Sequence, residues 1–145
     1  MRIAIVGCGQ LARMLALAGW EMGHHFSFLA DPDEGTRCVE GLGPVVYSDQ
    51  HQSSDALFEA LGRPEVVTVE KEHVSVALLE SLSTHCRVAP SADAIRVCQH
   101  RGREKTLLQS LDIATAPFHV VTDAASLNEA VNAVGYPAFV KSCEQ

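Results

Sequence analysis

The chain has 145 residues, 47% hydrophobic and 20% charged, with 11 basic against 18 acidic side chains and a formal charge of −7. That balance fits one globular domain with room for the start of a second, and excludes wholesale disorder. No apolar stretch approaches the roughly 18 residues of a membrane span. The acidic excess argues against nonspecific binding to duplex nucleic acid.

Met1-Arg2 is followed by only Ile3 to Val6 before glycines intervene, which does not read as a signal peptide, so a cytoplasmic setting is expected. Five cysteines (Cys8, Cys38, Cys86, Cys98, Cys143) are odd in number and form no C-x-x-C pair. They are expected to be reduced, partly buried thiols. The seven histidines are dispersed, and His24-His25 lacks the i, i+4 spacing of a helical metal site, so no metal ligand is assigned to this chain.

Strand and helix patterns alternate from the start. Ile3-Ala4-Ile5-Val6 is a short apolar run ended by Gly7, as for a strand buried on both faces of a parallel sheet. Leu11, Met14, Leu15 and Ala18 recur at i, i+3, i+4, i+7 and predict the core stripe of a helix that Gly23 stops. A second strand is expected over Phe26 to Ala30, ending at Asp31-Pro32-Asp33, and a third over 44–47. Ser54 or Asp55 is expected to cap a helix carrying Leu57 and Leu61, closed by Gly62. Val66 to Val69 gives a fourth strand. Val74, Ala77, Leu78 and Leu82 give a further helical stripe, and Cys86-Arg87-Val88 a weak fifth strand. This order predicts an α/β fold, a doubly wound parallel sheet with right-handed crossovers.

Pro90-Ser91 breaks the rhythm and sets the expected boundaries: a first, Rossmann-like domain over 1–90, a helical connector over 91–111, and the incomplete start of a second domain over 112–145. The connector holds helices at Ala92 to Gln99 and Arg103 to Leu111. Beyond it, strands are expected over Phe118 to Val121 and Ala138 to Lys141. Between them lies a helix carrying Leu127, Ala130, Val131 and Val134, with Ser126 and Glu129 as its capping box. So short a strand–helix–strand piece buries little on its own, which suggests that the rest of that domain lies outside the 145 residues.

Gly7-Cys8-Gly9-Gln10-Leu11-Ala12 reads G-x-G-x-x-A between a strand and a helix. Glycines permit a tight turn and close backbone approach, and free N–H groups at a helix start attract an anion, typically phosphate. A phosphorylated small molecule is therefore expected at Gly9, Gln10 and Leu11. Asp31 stands 22 residues after Gly9 at the end of the second strand, where a ribose-binding acid stands in NAD proteins. An NAD-binding domain of an oxidoreductase is thus an alternative, and a non-catalytic nucleotide-binding remnant is another.

Four further segments favour a different reading. Residues 9–15 (GQLARML), 68–74 (TVEKEHV), 99–105 (QHRGREK) and 113–118 (IATAPF) resemble, in order, motifs of the ATP-grasp 5-(carboxyamino)imidazole ribonucleotide synthase family of purine biosynthesis. The resemblance spans essentially the whole chain. It implies a ligase in which ATP and bicarbonate give carboxyphosphate, which carboxylates the amine of 5-aminoimidazole ribonucleotide.

On that resemblance the N-terminal sheet holds the ribonucleotide. Its 5′-phosphate lies on the backbone N–H groups of Gly9, Gln10 and Leu11, and Glu70 accepts the ribose hydroxyls. Arg101 and Lys141 match the family's ATP-phosphate contacts. The Mg²⁺ ligands and the glycine-rich lid belong to segments that would follow Lys141, so the chain alone is expected to be inactive and to supply no catalytic residue. Such relatives often form homodimers. Three departures stand out: Ala12 replaces a glycine, Lys71-Glu72-His73 replaces an aromatic-acid-amide run, and His100 replaces an aspartate.

Overall fold

The computed structural model describes residues 1–144. The chain divides into two compact units, Met1–Ile95 and a second from Arg96 onward.

In the first unit five parallel strands form one sheet in the order β3-β2-β1-β4-β5. They are β1 (Arg2–Val6), β2 (His25–Ala30), β3 (Val45–Tyr47), β4 (Val66–Val69) and β5 (Arg87–Val88). Helices α1 (Gln10–Glu21), α2 (Ser54–Ala60) and α3 (Val76–Ser83) connect them. The expected doubly wound sheet is formed.

The alternation of a strand's side chains sorts the core into two layers. Ala4, Val6, Leu29 and Val67 face α2 and α3, packing with Leu57, Leu61, Leu79 and Leu82. Ile5, Phe26, Phe28 and Ala30 face α1, packing with Ala12, Ala16, Val39 and Leu42. The one buried polar side chain among the described residues, Ser27, donates its hydroxyl to Leu61 O at 2.9 Å.

Helix α1 corrects one expectation. Its buried residues are Ala12, Ala16 and Gly19, and a Cβ at Gly19 would strike the Phe26 ring. The stripe Leu11, Met14, Leu15 and Ala18 faces outward, with Leu11 and Met14 each 57% exposed. Small residues let the helix lie close on the large rings of β2, so its bulky residues take the other side. Val74 and, in α3, Leu82 are buried as expected, while Leu79 takes the core place expected of Ala77 and Leu78. The cap of α2 is Ser53, whose hydroxyl accepts the Ala56 N–H at 3.2 Å, one residue before the expected pair.

The second unit holds α5 (Arg101–Ser110) and α6 (Ala124–Val134), while α4 (Ala92–Cys98) carries the division between units. His100 caps α5: its ring Nδ1 accepts from the N–H groups of Gly102 and Arg103 at 3.1 and 3.2 Å. The imidazole does there what an aspartate cap does. The capping box of α6 is Asp123 with Ser126, so Ser126 is the third helical residue and Glu129 has no part in it. The strands expected over 118–121 and 138–141 are not formed. An extended run becomes a strand only against a partner, and none pairs with these among the described residues.

No helix among the described residues is long and apolar enough to cross a membrane.

Candidate functional site

In the order 3-2-1-4-5 the connections from β1 and β4 leave on opposite faces, so the carboxyl ends of these neighbours border a crevice. Gly7 to Gly9 and Glu70 meet there. Gly7 takes φ +111, and a Cβ on it would fall 2.5 Å from Glu70 Cγ. Both conditions demand glycine. The Gly9 N–H donates to Glu70 Oε1 at 3.1 Å. The turn is therefore shaped to let a carboxylate from the adjacent strand lie over it.

Glu70 is held by the ladder itself, since its backbone N–H donates to Val6 O at 3.1 Å. Helix α1 begins at Arg13 N–H to Gly9 O, 3.2 Å, and no side chain caps it. Gln10 and Leu11 are both exposed at its start. Of the three expected phosphate donors, Gly9 thus already serves Glu70, while Gln10 and Leu11 stand in the uncapped first turn, where N–H groups point outward along the helix dipole.

Two further residues complete the strand ends, and the sequence reading gave neither a role. Glu34 Oε1 accepts the Cys8 N–H at 2.7 Å, and Oε2 accepts the Asp31 N–H at 3.0 Å. Lys71 Nζ reaches Glu34 Oε2 at 2.7 Å and Asp31 Oδ2 at 2.6 Å. Strands β2 and β4 flank β1, so their ends lie about 10 Å apart, a gap that a lysine stem and a carboxylate can bridge. Burial alone would push the Glu34 carboxyl up. The hydrogen bond from Lys71 and the N–H groups of Asp31 and Cys8 outweigh it and hold the group below its usual range. Burial likewise works against the charged form of Lys71, but its two acidic partners raise it overall. The Cys8 thiol is pushed up to about 12, by burial first and then by Glu34, so it remains protonated and unreactive.

Asp31 is accordingly a strand-end residue paired with Lys71, and its carboxylate is committed in a way that a ribose clamp is not.

In the second unit, the Arg101 Nε atom is buried with no hydrogen-bond partner among the described residues, while the Arg101 backbone N–H donates to Cys143 O at 2.9 Å. That bond lays the segment around residue 143 beside the start of α5, with Lys141 two residues away and exposed. The expected pair of basic residues thus comes from neighbouring stretches of one unit. The Arg101 Nε is thus a buried polar atom that the described residues leave unsatisfied. No group of three or more His, Cys, Asp or Glu that could hold a metal ion is found among the described residues. All five cysteines are free.

Sheet order and turn place the first unit in the doubly wound α/β class, whose ligands collect at the carboxyl ends of the strands. Residues 1–99 match the ribonucleotide synthetase preATP-grasp domain, and the chain belongs to that family. It is 36% identical over 142 residues to N5-carboxyaminoimidazole ribonucleotide synthase of Pseudomonas aeruginosa, covering 98% of this chain and 39% of that protein. The crystal structure of N5-carboxyaminoimidazole ribonucleotide synthetase from Thermus thermophilus superposes with a TM-score of 0.81 at 38% identity, over 93% of this chain and 37% of the other. The Staphylococcus aureus synthetase complexed with ADP gives 0.79 at 28% identity, over 94% and 36%. The chain therefore spans under two fifths of the length of these relatives.

Proposed function

We propose that this chain is the ribonucleotide-binding part, with the beginning of the ATP-binding part, of a ligase that carboxylates 5-aminoimidazole ribonucleotide with bicarbonate at the expense of ATP. The carrying observation is the Glu70 carboxylate lying over an uncapped glycine turn at the switch point of the sheet. A ribonucleotide offers that arrangement two complementary groups. Its phosphate takes the first-turn N–H groups of Gln10 and Leu11, with Gly9 giving the close approach. Its ribose hydroxyls donate to Glu70, whose carboxylate accepts two bonds while keeping Gly9. The names of the relatives support the same substrate class.

Arg101 and Lys141 hold the ATP phosphates in this reading, supported by the partnerless Nε of Arg101. Mg²⁺ would neutralise charge on ATP during phosphoryl transfer, and no group of three or more His, Cys, Asp or Glu among the described residues fits it. The domain limits that fit this assignment are 1–90 for the ribonucleotide domain, 91–111 for the connector and 112–145 for the ATP-binding start. A cytoplasmic setting fits a chain of this kind.

A homodimer is part of the same proposal. The outer stripe of α1, Leu11, Met14 and Leu15, with Met22 just past its end, is 47 to 72% exposed, and such an apolar face suits a second copy packed about a two-fold axis.

The test is titration of the full chain with 5-aminoimidazole ribonucleotide. Glu70→Ala is expected to weaken binding at least tenfold, the loss of about one to two charged hydrogen bonds, with the sheet intact by circular dichroism. Unchanged affinity at matched stability removes Glu70 from the site.

A further inference from the structure

Lys71 and Glu34 take no part in the function proposed above, yet they occupy the same strand ends. The Glu34 carboxylate bridges the Cys8 N–H of the glycine turn, at 2.7 Å, and the Lys71 ammonium, also at 2.7 Å. A backbone N–H and an ammonium are the two donor types a phosphate oxygen seeks. Only the width of one carboxylate separates Lys71 Nζ from the turn. Both side chains are shielded, Lys71 at 24% exposure and Glu34 at 17%, so their charges are weakly screened by solvent.

The surroundings make the lysine decisive. Glu70 lies over Gly9, Glu34 over Cys8, and Asp31 is on the far side of Lys71. A phosphate approaching this turn meets three carboxylates, and Lys71 is the cation in direct contact with two of them. Without it the approach is opposed by like charge alone.

We propose that Lys71 is a specificity-determining residue of this site: it holds Glu34 on the Cys8 N–H while the site is empty and pairs with the phosphate of the ligand once that phosphate displaces Glu34. The exchange replaces one anion by another on the same donors, so the ammonium stays paired in both states and no covalent bond is made or broken. The proposal rests on the reading that a phosphorylated ribonucleotide sits on the turn.

The two residues are expected to act with opposite sign. In calorimetric titrations of the full chain, Lys71→Met weakens 5-aminoimidazole ribonucleotide by roughly tenfold and flattens its salt dependence. Lys71→Arg restores most of the loss. Glu34→Gln, which removes the charge of the resident anion, tightens the ribonucleotide several-fold. The nucleoside lacking the 5′-phosphate is insensitive to all three substitutions, a pattern that a merely structural role does not give.

Wild-type binding with Lys71→Met and Glu34→Gln both unchanged overturns the proposal and leaves the ribonucleotide site standing. Failure of the wild-type chain to bind the ribonucleotide overturns both. If Lys71→Met does not fold, Glu34→Gln decides alone, and an affinity equal to or weaker than wild type counts against the exchange.

Discussion

Glu70 and Gly7 define each other: the carboxylate side chain fills the space that a Cβ at Gly7 would take, 2.5 Å from Cγ, while the backbone there holds φ +111. Gly7→Ala therefore carries two separate penalties, left-handed strain and overlap. It is expected to destabilise the chain by about 2 kcal/mol or more. Gly7→Ala combined with Glu70→Ala is expected to recover the overlap part but not the strain part. Chemical denaturation of the two single variants and the double variant checks this, and strictly additive effects contradict it.

The Glu34–Lys71 pair gives a pH signature with a definite sign. Glu34 lies below its ordinary value of 4.5 in the folded chain, so its stabilisation is complete above that value and is lost as pH falls through the lowered one. Lys71 lies above its ordinary 10.5, so its share is complete below that value and is lost as pH rises through the raised one. The difference in melting temperature between wild type and Glu34→Gln is expected to stay level from mildly acidic to mildly alkaline pH and to shrink in acid. A difference that grows in acid contradicts the assignment.

Met14 is 57% exposed in the middle of the outer stripe of α1, so Met14→Glu leaves the core untouched. Analytical ultracentrifugation is expected to show a dimer for the wild type and a monomer for this variant, with equal melting of the secondary structure. A wild-type monomer, or a dimer indifferent to the substitution, contradicts pairing through this helix.

In the second unit, Arg101 and its neighbour His100 separate function from stability. Arg101→Ala is expected to weaken binding of an ATP analogue by about tenfold, the loss of a charge-assisted hydrogen bond. His100→Ala removes the cap of α5 and is expected to cost about 1 kcal/mol. Fluorescence titration and thermal melting read the two effects independently.

The order of strands and helices was legible because buried parallel strands are short, continuous apolar runs, as 3–6 and 66–69 are. The turn was legible because Gly7 must be glycine and Gly9 gives the Glu70 carboxylate its close approach. The orientation of α1 was not: its large residues and its small residues both recur at helical spacing, and the sheet accepted the small ones, Ala12, Ala16 and Gly19, against Phe26 and Phe28. The contact of Lys71 with Asp31 and Glu34 joins segments about 40 residues apart, through two strands on either side of a third. Local pattern carries no trace of it, although the strand order, once known, brings these ends within reach. The runs 118–121 and 138–141 read as strands by composition, and composition cannot supply the partner a strand needs.

Backbone-amide NMR titration of the full chain reads whether the crevice between the ends of β1 and β4 takes a ribonucleotide. With 5-aminoimidazole ribonucleotide, saturable shifts are expected at Gly9, Gln10, Leu11 and Glu70, while NADH in a parallel sample leaves them in place. Shifts with NADH that extend to Asp31, or silence at the turn with the ribonucleotide, contradict the account.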